Sequence, residues 1–190
     1  MAKKNPFLVK SNLKQIKANI KKFAESDVYV GVPSDNNARK SNFKGEPDPE
    51  ITNAQIAYNN DNGSPATNLP ARPFMKPGIK RVRDRIARRM GKGIKDILKS
   101  GQDADVSLMS VGLMAQSSIR AVINAGIAPA LSERTLKARV ASKKGAKGAR
   151  MELESRAEGN PAGMEYAKPL VWSGQLRNSI NFVIRRRGKK

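Results

Sequence analysis

The residues of this chain best suited to binding a metal ion are three carboxylates in one short stretch, Glu46, Asp48 and Glu50. Their close spacing favours at most a weak Mg²⁺ or Ca²⁺ site, because both ions prefer oxygen ligands. The stretch lacks the glycine and the terminal bidentate glutamate of a calcium-binding loop. Its prolines predict an extended surface loop instead, so we assign no metal and no cofactor to it.

Nucleophilic and acid–base catalysis have few candidate residues, because the chain contains no histidine and no cysteine. The usual proton shuttle, the commonest metal ligand and the thiolate nucleophile are therefore all missing. Residues 91–96 are too short for a phosphate-binding loop and follow no strand, and residues 172–176 do not form a nucleophile elbow. A serine–lysine dyad is compatible with the composition, but no pair stands out. We predict a protein that is not an enzyme and has no catalytic residues.

Charge is the strongest global signal of the sequence. The 190 residues carry a net charge of +21, well above the magnitude of roughly 2–8 that keeps a small domain soluble. Residues 1–22 hold seven lysines and no acid, and residues 76–99 hold ten basic residues against two acids. Further basic clusters lie at 137–150 and 181–190. Such clustering predicts a polyanionic partner, either nucleic acid or an acidic protein surface.

One basic cluster has helical periodicity. In residues 75–99, apolar side chains recur every three or four positions and predict a core-facing side (Ile79, Val82, Ile86, Met90, Ile94, Ile97). Basic residues recur with the same period, centred on roughly the opposite side, and form what we call the basic ridge (Arg81, Arg85, Arg88, Lys92, Lys95, Lys99). The ridge predicts contact with phosphates or acidic side chains, and its alternative is a solvated helix face. Without interleaved aromatic residues, any DNA contact would be to the backbone.

The elements that position these residues are helices with two short strands. Residues 10–24 and 51–58 show helical spacing, whereas residues 28–32 alternate as a strand does. Residues 103–125 are apolar nearly all round, which predicts a helix buried between other elements. Residues 180–184 read as a second strand, and residues 143–164 as a flexible insertion or basic arm. We expect a single α+β domain over residues 1–190: a small antiparallel sheet, packed helices and extended loops.

A proline-rich corner at 68–79 precedes the basic ridge. Pro70 and Pro73 fix their own φ angles and bias the residues before them toward extended conformations. Phe74 is suited to anchoring the chain in the core, and Arg72 offers a planar, bidentate donor. We predict a stiff corner that sets the direction of the following helix, with an ordinary connector as the alternative.

Taken together, the stretches VYVGVP, NAQIAYNNDNG, LPARPFMKPGI and KPLVWSGQLRNSINFVI resemble the tail-completion and neck proteins of tailed bacteriophages. Their order and spacing carry the resemblance over residues 28–184. The resemblance implies recurrent landmarks, which serve as an interface rather than a catalytic site (Pro70, Arg72, Pro73, Phe74, Trp172, Gly174, Leu176, Ser179, Ile180). The chain departs from the commoner pattern at Trp172-Ser173 and in its long basic stretch at 137–164.

The resemblance implies a structural virion protein that completes the tail or joins it to the head. We expect a homo-oligomeric ring, with six subunits as the working number, that contacts other neck, connector or tail proteins and the DNA in its lumen. The expected location is the virion, after assembly in the host cytoplasm. No stretch approaches the ~18 apolar residues of a membrane span, so we expect no membrane contact. The alternative is a protein that binds DNA without sequence preference and acts in genome architecture or packaging.

Overall fold

The computed structural model describes residues 6–188, with backbone alone for residues 6–12 and Asn36. Seven α-helices and two strands follow each other in the order α1 (Pro6–Ala24), β1 (Ser26–Gly31), α2 (Asn53–Asn62), α3 (Met75–Ser100), α4 (Ala104–Ala125), α5 (Glu133–Ala141), α6 (Ala146–Ala157), α7 (Gln175–Ser179) and β2 (Asn181–Arg186). Short 3₁₀ turns occupy Ser34–Asn36 and Pro65–Thr67. The predicted α+β class is confirmed, with helices dominating.

The sheet consists of β1 and β2, paired antiparallel with Val28 opposite Ile184 and Val30 opposite Phe182. Its inner face packs on α4. At Gly112 of α4 the ring of Phe182 lies where a Cβ atom would stand, so only glycine lets the strand approach this closely. The close packing of the sheet on α4 therefore depends on the absence of a side chain at Gly112.

Helices α3 and α4 form the main helical hairpin. Gly101, with φ of 69°, ends α3, and the carboxylate of Asp103 accepts a hydrogen bond from the backbone N–H of Asp105 at 3.0 Å to begin α4. Gly93 of α3 lies against Ser107 of α4 without room for a side chain. This glycine therefore marks a close contact between the two helices.

Three groups of buried apolar residues make up the core. Phe74, Ile119, Val122, Ile123 and Ile180 join the start of α3 to α4 and to the end of α7. A second group joins α1 to the α3–α4 hairpin (Phe23, Ile97, Ala104, Leu108). The third lies between α5, α6 and the segment that leads to α7 (Leu131, Leu136, Ala149, Ala167).

Helix α4 is less buried than the sequence predicted. Val106, Met109 and Leu113 are 48%, 52% and 54% exposed, because no described element covers this side of the helix. The expectation that no stretch approaches a membrane span was wrong for α4, which is, among the described residues, the one helix long and apolar enough to cross a membrane by length and composition. More than half (56%) of the apolar window of this helix is buried inside the fold.

The segment predicted as a flexible insertion or arm, residues 143–164, contains helix α6. Ala149 and Glu152 of α6 are buried, and Arg156 donates to the carboxylate of Glu152 at 2.9 Å. Gly148 lets α6 lie close to the chain at Tyr166, whose backbone carbonyl occupies the space that a side chain would fill. The segment thus folds against α5, and its mobility stays a prediction.

Candidate assembly interface

The basic ridge lies on the surface of α3. Arg81, Arg85, Arg88, Lys92, Lys95 and Lys99 are all exposed. Within the described residues, none of these six side chains forms a hydrogen bond or a salt bridge. Their neighbour Arg89 differs, since its Nε donates to Ser110 Oγ at 3.0 Å and its Nη1 lies 3.8 Å from Asp96 Oδ2. The ridge therefore presents positive charge that the described chain does not compensate.

The predicted opposition of ridge and core is only partly right. Val82 and Ile97 are buried as predicted, but Ile79, Met90 and Ile94 are at least one-third exposed. The reason lies in Gly78 and Gly93, two buried glycines through which α3 approaches α4. Because these small residues form the contact with α4, the buried side of α3 lies closer to the basic ridge than predicted. The three apolar residues on the far side of that contact are therefore exposed to solvent.

An open groove runs between the ridge and α4, with a volume of about 810 Å³. Arg81 and Arg85 lie along the wall formed by α3. Val106, Met109 and Leu113, the exposed apolar residues of α4, lie along the opposite wall. The groove thus combines uncompensated cations with exposed apolar side chains, which is typical of a surface that a partner covers.

The proline-rich corner is held by hydrogen bonds at both ends. Asp61, at the end of α2, accepts from the backbone N–H groups of Phe74 and Met75 at 2.7 and 2.9 Å, which satisfies two free donors at the start of α3. Arg72 is only 5% exposed, and its Nε donates to the Pro129 carbonyl at 3.1 Å. Phe74 is fully buried. The corner is therefore anchored to α2 and to the segment before α5, and its role in setting the direction of α3 stays a prediction.

The two separated landmark segments meet in space. Phe74 and Ile180 pack in the same core group. Pro70 and Arg72 line one pocket together with Trp172 and Leu176. The proline-rich corner and the segment before β2, about a hundred positions apart, thus form one site.

Two of the remaining landmarks stabilise the start and end of α7, whereas Pro73 is exposed. Ser179 is buried, and its Oγ donates to the Leu176 carbonyl at 2.8 Å. Gly174, with φ of 80°, precedes α7 in a backbone conformation that favours glycine. These contacts orient α7, and through it the Trp172 side of the pocket.

Three further arginines near this pocket were missed by sequence analysis. Arg39 and Arg134 line it, and Arg139 lies behind Trp172 with its guanidinium carbon 5.7 Å from the ring centroid. Arg39 lies in the loop before α2, whereas Arg134 and Arg139 both belong to α5, and none of the three belongs to a sequence motif. These arginines come together only in the folded chain, so no local sequence pattern predicts that they share a site.

The carboxylate stretch is exposed, as the surface-loop prediction requires. Asp48 accepts from the Ser41 backbone N–H at 2.8 Å and lies 3.0 Å from Lys40 Nζ, and the first of these bonds contributes most to lowering its pKa. Over the described part of the chain, no group of three acidic, histidine or cysteine side chains is placed to hold a metal ion.

The fold and surface define a helix-dominated α+β protein with a basic ridge beside an apolar groove. In comparisons with protein-family models, with curated proteins and with solved structures, the chain has no significant match. The link to phage neck proteins therefore rests on the sequence resemblance alone.

Proposed function

We propose that this chain is a structural virion protein of the neck or tail end of a tailed phage, which completes the tail or joins it to the head as an oligomeric ring. Its role is not enzymatic and works through shape and charge complementarity with neighbouring subunits. The observation that supports it best is the groove between α3 and α4. There, Met109 and Leu113 are each about half exposed beside arginines that have no acidic partner among the described residues.

Leaving this groove uncovered costs stability in two ways. Exposed side chains of this size lose about 25 cal/mol of stabilisation for every Å² of apolar area left in water. Like charges along one side of α3 repel each other without the compensating pairs that usually stabilise such a helix. A subunit or neighbouring ring with an acidic rim and an apolar patch relieves both costs at once.

The groove is tested by placing a charge in it. Leu113→Asp puts a carboxylate where the proposal needs an apolar contact, and the exposed position lets the monomer fold. We expect the purified variant to stay monomeric in sedimentation velocity, whereas the wild type forms the ring. Tyr58→Asp, the same change at an exposed position on α2, should leave the ring intact. A ring that tolerates Leu113→Asp would show that the groove is not the subunit contact.

The role in the virion is tested in the phage. Deleting the gene should leave filled heads and separate tails, visible by negative-stain microscopy. Normal virions after deletion would contradict the joining role.

A second candidate function is DNA binding without sequence preference, which the six uncompensated cations of the ridge support. Each phosphate contact lowers the slope of log K against log salt by about 0.9. Replacing Arg81, Arg85, Arg88 and Lys92 by glutamine should therefore flatten that slope by about 3–4 in gel-shift titrations of a random duplex.

The matched control removes four exposed basic residues elsewhere (Lys137, Lys143, Lys147, Arg150). It changes the net charge equally and should leave more of the slope intact. If neither the wild type nor the control variant binds DNA at physiological salt, the DNA-binding candidate is lost.

A further inference from the structure

The pocket in which the two landmark segments meet is lined by three cations and, among the described residues, by no acid. Its volume is about 780 Å³, within the range of roughly 300–1,000 Å³ typical of ligand sites. Arg39, Arg72 and Arg134 line it, and within the described residues no aspartate or glutamate does. No ridge residue contributes to it, so this is a separate surface from the groove described above.

Arg72 is buried without a counter-charge. Its Nη2 donates to the carbonyls of Pro129 and Ala130 at 2.9 and 3.4 Å, and its Nε donates to Pro129 at 3.1 Å. Among the described residues, its Nη1 has no hydrogen-bond partner. Carbonyl oxygens orient the guanidinium but do not neutralise it, and an unpaired buried charge is costly. The Nη1 donors of Arg72 are therefore left without a described partner, in a side chain that lines the pocket.

Arg139 adds a second buried cation. It is 4% exposed, and its Nη1 donates to the carbonyls of Lys168 and Val171, both at 3.1 Å. Its buried Nε has no partner in the described structure. Burial, and to a lesser extent the charge of Arg72, lowers the pKa of Arg139 to about 10. At neutral pH both guanidinium groups stay charged, so their positive potentials add at the pocket.

The walls of the pocket favour a peptide over a bare ion or a nucleic-acid backbone. Ile56, Leu69 and Leu131 supply apolar lining beside the arginines. Arginine forks match the two oxygens of a carboxylate, and the leucine and isoleucine side chains match an apolar neighbour in the same segment. A sugar–phosphate backbone offers no apolar group of that kind. Acidic and apolar residues next to each other in an extended chain satisfy both features.

We propose that this pocket binds the carboxylate of an acidic peptide segment from a protein partner. Arg72 and Arg134 receive the carboxylate, Arg39 adds attraction at the rim, and Arg139 supports the site electrostatically from behind Trp172. The proposal goes beyond the assembly role of the α3–α4 groove, and it holds whether or not the partner belongs to a virion.

The chain carries its own reporter for the test, because Trp172 is its single tryptophan and lines the pocket. The probe is a short peptide of alternating glutamate and leucine with acetylated and amidated ends. Binding to the full chain is measured by calorimetry, and Trp172 fluorescence locates it. The expected result is saturable binding with a change in Trp172 emission. The glutamine version of the peptide should bind at least about tenfold more weakly, since charge-assisted hydrogen bonds are lost.

The variant that tests the site is Arg134→Gln, which removes an exposed cation with no described partner and so leaves the fold intact. It should weaken the glutamate peptide about tenfold. Lys137→Gln removes the same charge from the same helix outside the pocket and should change little. Equal loss in the two variants would show unspecific charge attraction and overturn the proposal.

Two other results would also overturn it. If inorganic phosphate alone binds as tightly as the peptide and displaces it, the pocket is a phosphate site rather than a peptide site. If calorimetry shows peptide binding without any change in Trp172 emission or any sensitivity to Arg134→Gln, the peptide binds elsewhere. Absence of binding to the wild type contradicts the proposal directly.

Discussion

Two glycines of the same helix should respond to alanine with opposite signs. At Gly78 an added Cβ atom would lie 2.7 Å from the Cα and Cγ1 atoms of Ile119, whereas carbon atoms in favourable contact stand about 3.5–4.0 Å apart. Helices α3 and α4 would have to separate by roughly 1 Å at a point where Ser118 Oγ donates to the Gly78 carbonyl at 2.7 Å. At Gly91 an added Cβ atom meets nothing within 4 Å.

The magnitudes follow from these two environments. Overpacking of this kind costs about 1–3 kcal/mol, so Gly78→Ala should lower Tm by roughly 2–12 °C in a protein of this size. Gly91→Ala removes backbone freedom from the unfolded chain and should stabilise the helix by about 0.5–1 kcal/mol, raising Tm by roughly 1–4 °C.

The assay is paired thermal and urea unfolding of the two variants against the wild type, followed by circular dichroism. Urea midpoints should shift in the same directions with unchanged slopes, because the surface exposed on unfolding is nearly constant. If Gly78→Ala proves as stable as the wild type, α3 and α4 do not approach as closely as described. If both variants are destabilised, the assignment of Gly91 to an open helix surface is wrong.

Three further changes probe the corner and the start of α4. Phe74→Ala should lower the free energy of unfolding by about 3–5 kcal/mol in urea titrations, whereas Tyr58→Ala on the exposed side of α2 should stay within about 0.5 kcal/mol. Asp61→Ala should cost about 0.5–2 kcal/mol by the same measurement, and a negligible loss would contradict its role in capping α3. For Asp103, the hydrogen bond from Lys22 is the main cause of a lowered pKa, so its contribution to stability exists above the unfolded pKa of about 3.9 and is lost as pH falls through the folded value. The Tm deficit of Asp103→Asn, which retains a capping oxygen, should therefore be present at pH 7 and disappear in strong acid.

The elements were largely predictable from sequence because their signals are local. The period of α3, the alternation in β1 and β2, and the caps at Asp103 and Ser132 each need only neighbouring residues. The side of each helix that is buried was not predictable in the same way. Which side of α3 is buried depends on two glycines that contribute nothing to a hydrophobic pattern, yet decide where the helices touch.

The candidate sites divide in the same way. The basic ridge was visible in the sequence because its members share one helix. The arginine-lined pocket was only half visible: Arg72 and Trp172 belong to recognisable segments, but Arg39, Arg134 and Arg139 join them through the tertiary fold. Asp61 illustrates the limit, since an acid that caps a helix thirteen positions later leaves no local capping pattern.

The pairing of β1 with β2 also constrains the order in which the parts of the chain can fold during synthesis. Asp27 and Arg187 hydrogen-bond across 160 positions of sequence, so β1 has no strand partner until nearly the whole described chain has been synthesised. Until then, the side of α4 at Gly112 that receives Phe182 stays open to water. The helices can form early from local contacts, whereas the sheet closes last. A ribosome-bound nascent chain truncated before Asn181 should therefore be helical but sensitive to proteases, because its sheet cannot yet form.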